Sequence, residues 1–137
     1  MIKRVDHIAV AVPNVEEAAR FYEEALGLKL GGVEVVEGMD TKVGFFQIGE
    51  TRIELVEPTK EDTALDKFLA SRGPGIHHIC FEVEDIEAAL RTLKERGVRL
   101  VDEEPRPGAH GTRVGFIHPK STGGVLIELS QHPRGSH

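Results

Sequence analysis

The chain has 137 residues, with 17 Lys and Arg against 23 Asp and Glu, and a formal net charge of −6. This length suits one domain with a modest core. The acidic balance argues against nucleic-acid binding, which needs clustered positive charge. No apolar run approaches the roughly 20 residues of a membrane helix, and the charged start does not resemble a signal peptide. With Cys80 as the only cysteine, we expect a cytoplasmic protein without membrane or nucleic-acid partners.

The sequence contains an internal repeat. Residues Val5–Tyr22 match Ile76–Leu93 with six identities in 18 positions, 71 residues further along the chain. A second match follows in the same order, because Arg52–Leu55 parallels Leu126–Leu129, 74 residues further along. Two ordered matches predict two copies of one structural unit.

The first copy predicts one strand, one helix and three further strands. Residues 7–12 alternate as a half-buried strand does. Asn14 is placed to cap the helix, and Gly27 to end it in a left-handed conformation. The apolar stripe of this helix comprises Val15, Ala18, Ala19, Tyr22 and Leu26. The three strands are expected near Leu28–Val36, Thr41–Ile48 and Thr51–Glu57.

The second copy repeats this order after a linker, residues 58–75, in which Thr63 is expected to cap a short helix, Ala64–Ser71. Its first strand ends near Val83, and its helix is capped by Asp85 and ended by Gly97. The last three strands are expected near Val98–Asp102, Gly111–Ile117 and Gly124–Ser130. We therefore predict an α+β fold of tandem βαβββ modules.

The predicted domain spans residues 1–131. Module one covers about 3–57 and module two about 76–131, on either side of the linker. Residues 132–137 form a tail, in which Pro133–His137 resembles a vector-derived remnant and is set aside from functional reasoning.

A histidine and a glutamate recur at equivalent strand positions of the two copies. His7 and His78 lie in the first strands, and Glu54 and Glu128 in the last. Both glutamates are expected to face away from their apolar neighbours, where a buried carboxylate needs a hydrogen bond, an ion pair or a metal. Two imidazoles and two carboxylates suit a divalent ion, and the absence of thiolates favours an open site. Singly, each residue is more often structural; their repetition favours the metal site.

Some histidines leave alternatives open. His77 competes with His78, but adjacent strand residues face opposite ways, and we choose His78. Cys80 is expected to be a space-filling residue rather than a reactive thiol. His110 and His118 lie in loop-like stretches, where they line a pocket rim or are simply solvated.

Several short stretches are similar to those of a known family. They are Val5–Ala9, Gly75–Ile79, Asp102–Pro105 with Gly108, and Phe116–Ser121 followed by Gly124–Leu129. Over residues 3–131 the chain resembles the methylmalonyl-CoA epimerases of the vicinal oxygen chelate superfamily, which also includes glyoxalases, bleomycin resistance proteins and dioxygenases. The stretch Phe116–Ser121 is the most specific.

The resemblance implies a half-open, mixed, β-barrel-like sheet around a metal site, with the helices packed outside. The implied ligands are His7, His78, Glu128 and, at a position where relatives often have glutamine, Glu54. The implied ion is Co²⁺, with Mn²⁺, Ni²⁺ or Zn²⁺ as alternatives. The implied activity interconverts (2R)- and (2S)-methylmalonyl-CoA by metal-assisted proton abstraction at C2 through an enolate, in a homodimer.

Inversion at C2 requires proton exchange on both faces of a planar enolate, and therefore two acid/base groups. The resemblance supports Glu128 as one of them. The second is unassigned, because Val43 stands where some relatives have a glutamate; Glu54 and a metal-bound water are candidates. For the acyl-CoA substrate, whose phosphates need positive charge, we name Arg113, Lys120 and His110 as candidate contacts.

Two other functions are compatible with the same residues. One is a glyoxalase-like isomerase that acts on a glutathione hemithioacetal, since the fold hosts several chemistries. The other is a metal-free protein that binds a small molecule, although such a protein has no need for two buried carboxylates facing two histidines.

Overall fold

A computed structural model describes residues 1–134. The α-helices are α1 (Val15–Arg20), α2 (Ala64–Arg72) and α3 (Ile86–Glu95). The strands are β1 (Ile2–Ala11), β2 (Leu30–Val36), β3 (Thr41–Ile48), β4 (Thr51–Pro58), β5 (Gly75–Val83), β6 (Arg106–Pro107), β7 (Arg113–Ile117) and β8 (Ile127–Gln131). The α+β class is confirmed, and each half of the chain has the order strand, helix and three strands. The last residues of the expected tail, 135–137, lie outside the described residues.

The chain divides into two compact units. The His7 unit is His7–His77, and the His78 unit comprises Met1–Asp6 and the residues from 78 onward. In the His7 unit the strands lie in the order β2-β3-β4-β1, and in the His78 unit β5-β8-β7-β6. The first and last strands of each module pair in parallel, β1 with β4 and β5 with β8, and the other pairs are antiparallel.

Each helix begins at the residue that the sequence indicated. The Asn14 side chain accepts a hydrogen bond from the backbone N–H of Glu17 at 2.8 Å. At the start of α2, the Thr63 side chain accepts a hydrogen bond from the backbone N–H of Asp66 at 3.2 Å. At the start of α3, the Asp85 side chain accepts one from the backbone N–H of Ala88 at 3.0 Å. These caps satisfy backbone donors that no helical carbonyl reaches, so a local sequence signal is sufficient to place them.

The end of the first helix differs from the expectation. After Arg20 the chain continues as a π-helical turn, Phe21–Ala25. A π-helix has more residues per turn than an α-helix, so side chains beyond it no longer follow the 3.6-residue stripe. Leu26, expected on the buried stripe, is therefore 56% exposed.

Each unit has its own core between a helix and one face of its sheet. The His7 unit buries Val12, Val15, Ala19, Phe46 and Leu55. The His78 unit buries Val83, Ile86, Ala89, Leu90, Ile117 and Leu129. Both cores include the apolar residue that directly follows the glutamate in the last strand, so the glutamate itself faces away from the helix.

The predicted strand Val98–Asp102 is wrong. Only an isolated bridge from Leu100 to Ile117 occurs there. The carboxylate of Asp102 accepts a hydrogen bond from the backbone N–H of Phe116 at 2.9 Å and so replaces a strand carbonyl. The strand beside β7 is instead β6, whose Pro107 lacks an N–H and keeps it short.

Two other strands begin later than expected. Gly111 and Gly124 have φ angles of +71° and +106°, which strands do not adopt. As a result, β7 begins at Arg113 and β8 at Ile127.

We expect Gly44→Ala to lower the free energy of unfolding by about 1–3 kcal/mol, because overpacking displaces neighbouring groups. A Cβ at Gly44 would lie 2.6 Å from Cγ1 of Val15 on α1. Gly38→Ala is the matched control, since a Cβ there meets nothing within 4 Å. Urea unfolding of the three proteins measures the difference. Equal stability of Gly44→Ala and Gly38→Ala would contradict this account of how α1 packs.

Candidate functional site

The His7 unit contains a buried histidine–glutamate pair. In the parallel pairing of β1 with β4, His7 is opposite Arg52 and Ala9 is opposite Glu54. Nε2 of His7 lies 3.4 Å from Oε1 of Glu54. His7 and Glu54 are 6% and 3% exposed, so both polar groups are almost entirely withdrawn from water.

The His78 unit contains the equivalent pair. Nε2 of His78 lies 3.0 Å from Oε1 of Glu128, and both residues are buried. The ring of Phe116, which is opposite Glu128 in the pairing of β7 with β8, packs edge-on against the His78 ring, with centroids 5.3 Å apart. The ring of His77, the alternative to His78, instead packs edge-on against Phe68 of α2, with centroids 5.0 Å apart.

In the parallel strand pairs, the residue directly opposite each glutamate is small. Ala9 is opposite Glu54, and Cys80 is opposite Glu128. Cys80 is completely buried, as a space-filling residue is. Each buried carboxylate thus has a small side chain opposite it on one neighbouring strand and a phenylalanine, Phe45 or Phe116, opposite it on the other.

Arg52 is a residue of this site that the sequence analysis did not single out. Its Nη2 lies 3.3 Å from Oε2 of Glu54, and its guanidinium lies over the ring of Phe45, with Cζ 5.7 Å from the centroid. The sequence does indicate this residue, because Arg52 is two residues before Glu54 and strand periodicity puts both side chains on one face of the sheet.

The donor sets of the two pairs suit a divalent metal ion. Each unit offers one imidazole nitrogen and one carboxylate oxygen, both buried and within 3.0–3.4 Å of each other. Such nitrogen and oxygen ligands bind Zn²⁺, Co²⁺ and Mn²⁺, and burial strengthens their attraction for a cation. Withdrawing either carboxylate from water carries a desolvation cost that a bound cation would offset.

Position 43, where some relatives have an acid, lies on the same face as Glu54. Val43 is opposite Val56 in the pairing of β3 with β4, and Val56 is two residues after Glu54. Its side chain is 5% exposed and apolar. The structure therefore places no titratable group at this position, and the second acid/base group is still unassigned.

Arg113 lies on the helix side of the sheet. Phe116 and Val114 of β7 pair with Glu128 and Ser130, and Arg113, adjacent to Val114, points to the opposite face. There it forms an ion pair with Glu87 of α3. This placement gives no support to Arg113 as a contact of a substrate bound beside Glu128.

His110 belongs to a tight loop on the same face as Glu128. Gly108 closes the loop by donating its N–H to the carbonyl of Thr112 at 2.9 Å, and it packs so closely on Val114 that a Cβ would lie 2.6 Å from Cγ1. His110 has a left-handed backbone, with φ 58° and ψ 31°, which costs about 1–2 kcal/mol for a residue other than glycine. Strain of this kind is typical of functional loops.

Lys120 lies in the 3₁₀ turn before β8 and has an exposed side chain. Its backbone N–H donates to Nδ1 of His118 at 3.1 Å. Partial burial, together with the positive charges of Arg99 and Lys120, lowers the pKa of His118 below its ordinary value. At neutral pH the neutral ring is the form that accepts this hydrogen bond.

A second buried polar network in the His78 unit was also missed. Nε of Arg4 donates to Oε1 of Glu82 at 2.5 Å, and Nε2 of His132 lies 2.6 Å from Oδ1 of Asp6. Burial alone would raise the pKa of Glu82, but the bond from Arg4 and the charges of His132, Arg4 and Lys3 outweigh it and lower that pKa. His132, assigned to the tail, is thus in contact with β1.

The comparisons with known proteins identify the family. Residues 6–116 match the family model described as the glyoxalase/bleomycin resistance protein/dioxygenase superfamily. The chain belongs to this superfamily. The family resemblance noted from the sequence is confirmed. No helix within residues 1–134 is long and apolar enough to span a membrane.

Several relatives at high coverage have names that include methylmalonyl-CoA epimerase. An ethylmalonyl-CoA/methylmalonyl-CoA epimerase of Cereibacter sphaeroides is 44% identical, covering 96% of this chain and 99% of the relative. The mitochondrial methylmalonyl-CoA epimerase of Homo sapiens is 42% identical, and the match covers 93% of this chain and 73% of the human protein. A solved structure of a methylmalonyl-CoA epimerase in complex with methylmalonyl-CoA and NH₄⁺ superposes with a TM-score of 0.93 at 35% identity. The superposition covers 98% of this chain and 97% of that one.

We expect Arg4→Met to lower the free energy of unfolding at pH 7 by about 1–2 kcal/mol, because a buried carboxylate loses a charged hydrogen bond and Arg4 is partly exposed. The pKa of Glu82 is lowered in the folded state, so this stabilisation is present above the unfolded value near 4.5 and is lost as the pH falls through the folded pKa.

Urea unfolding at pH 7 and pH 3 measures this difference. Arg20→Met is the control, since the pair of Arg20 with Glu24 is exposed on both sides. If the free energies of unfolding of wild type and Arg4→Met differed as much at pH 3 as at pH 7, the charge of Glu82 would not be the source of that difference.

Proposed function

We propose that this protein is an epimerase that interconverts (2R)- and (2S)-methylmalonyl-CoA. The observation that carries the proposal is the buried histidine–glutamate pair found in each unit, His7 with Glu54 and His78 with Glu128. It is supported by relatives at 42–44% identity that carry this enzyme name and by a solved relative in complex with the acyl-CoA. Buried ionisable pairs at equivalent positions serve a site better than they serve stability.

The four residues of the two pairs are the proposed ligands of one divalent ion. When bound, the ion supplies Lewis acidity that makes the C2 proton of the substrate easier to remove. Co²⁺ is our first choice, with Mn²⁺, Ni²⁺ and Zn²⁺ as alternatives, because all accept imidazole and carboxylate ligands. No cysteine thiolate contributes to the set, which favours a site that keeps positions for substrate.

Glu128 is the proposed acid/base group on one face of C2. Its carboxylate takes the C2 proton, the electrons of the broken C–H bond delocalise into the thioester carbonyl, and a second group returns a proton to the opposite face. Phe116, which packs against His78, and buried Cys80 keep bulk water away from this carboxylate. Glu54 is the candidate for the second group.

Other features belong to the same proposal. We propose a cytoplasmic homodimer that is a single domain over residues 1–131. The loop of His110, on the Glu128 face, and exposed Lys120 are proposed contacts of the acyl-CoA. Arg113 is a weaker candidate, because it pairs with Glu87 on the helix side.

We expect the Co²⁺-loaded protein to exchange the C2 proton of methylmalonyl-CoA with solvent deuterium. Proton NMR in D₂O follows the loss of the C2 signal, and a chelator should stop it. A stereospecific mutase added afterwards would reveal inversion. Absence of exchange with the metal bound would overturn the epimerase and leave a hemithioacetal isomerase to be tested, whereas a protein that cannot be loaded would favour a metal-free binder.

Glu128→Gln is expected to lower the rate of C2 exchange by about 10²–10⁴-fold, because the amide has no carboxylate to accept the proton. Co²⁺ should still bind, though less tightly. Glu50→Gln is the control, since Glu50 is exposed in the turn between β3 and β4. Exchange at the wild-type rate in Glu128→Gln would remove Glu128 from the reaction.

His7→Ala and His78→Ala are each expected to weaken Co²⁺ binding by at least about 100-fold, because each removes one nitrogen ligand. Isothermal titration with Co²⁺ measures the affinity, and circular dichroism checks that the fold persists. His77→Ala is the matched control, because its ring packs against Phe68 rather than Glu128. Wild-type affinity in either ligand variant would refute the four-residue centre.

A further inference from the structure

The two modules differ in charge beside their glutamates. The repeated segment reads Arg52-Ile53-Glu54-Leu55 in one module and Leu126-Ile127-Glu128-Leu129 in the other. The two segments share three residues, and only the first position differs. Two residues before the glutamate, module one therefore has an arginine, Arg52, and module two has a leucine, Leu126.

Arg52 is held in a defined position. Its Nη2 lies 3.3 Å from Oε2 of Glu54, its guanidinium lies over Phe45, and its side chain is 14% exposed. The pairing of β4 with β1 places it opposite His7. Because the arginine is already restrained by the ring and the strand, it loses little further entropy in holding the carboxylate.

The carboxylate of Glu54 has a different partner on each oxygen. Oε2 faces the guanidinium of Arg52, and Oε1 faces Nε2 of His7 at 3.4 Å. A guanidinium on one oxygen restricts rotation of the carboxylate and directs the other oxygen toward the imidazole. This is the arrangement by which an outer residue orients a metal ligand.

We propose that Arg52 is a positioning residue of the metal centre, which orients Oε1 of Glu54 as a ligand. The inference rests on the proposed metal centre. Stability alone does not account for the arginine, because a nearly buried ion pair contributes little or even costs free energy relative to apolar side chains. Leucine, which the repeat uses at position 126, is the apolar alternative.

The decisive variant is Arg52→Leu, which copies the residue of the other module. We expect its dissociation constant for Co²⁺, measured by isothermal titration without substrate, to rise by about 10–100-fold, the usual effect of losing a residue that orients a ligand. Arg52→Lys should recover part of the affinity. Circular dichroism and urea unfolding verify that both variants are folded at the temperature used.

Two controls separate positioning from net charge. Arg20→Leu removes the same charge from an exposed site and should leave Co²⁺ affinity unchanged. In a Glu54→Gln background, Arg52→Leu should change the affinity by less than about threefold, because the charged partner is already gone. An equal effect of Arg52→Leu in both backgrounds would show that Arg52 does not act through Glu54.

The outcomes distinguish this inference from the proposed function. Wild-type or tighter Co²⁺ binding by Arg52→Leu, with weakened binding by His7→Ala, would overturn the role of Arg52 and leave the centre intact. No Co²⁺ binding by the wild-type protein would overturn the centre and the inference with it. Because the titration contains no acyl-CoA, failure of the epimerase assay affects neither result.

Discussion

The structure depends on burying a carboxylate beside an imidazole in each module. Glu54 lies beside His7, and Glu128 beside His78, on strands whose opposite faces form the apolar cores. A carboxylate removed from water needs a compensating partner, so the strand register, the small neighbours and the direction of each glutamate are all coupled to this contact. The apolar residue after each glutamate anchors the same strand against a helix, which holds the pair in place.

Duplication gives the protein two similar histidine–glutamate pairs, and the residues around the two pairs differ in chemistry. Arg52 accompanies Glu54, whereas Leu126 occupies the equivalent position beside Glu128. Phe45 and Phe116 stand opposite the two glutamates.

Local features could be predicted and features set by distant contacts could not. Asn14 caps α1 because its side chain bonds a backbone N–H three residues away, which the sequence displays directly. The failed strand at residues 98–102 depends on the Asp102 carboxylate meeting the backbone of Phe116, 14 positions later in the chain. Likewise, strand periodicity placed Glu54 on the histidine face, whereas the approach of Arg52 to Oε2 is a matter of side-chain rotamers.

By itself the sequence determined the α+β modules and the helix starts, and it predicted the four residues of the candidate centre, because alternation and capping act over a few residues. Tertiary structure decided which surroundings each of those residues has. It put Arg113 on the helix side, the guanidinium of Arg52 beside Oε2 of Glu54, and His132 against Asp6. Those outcomes depend on strand pairing and side-chain packing between segments far apart in the chain, and local sequence patterns do not encode the distances between such segments.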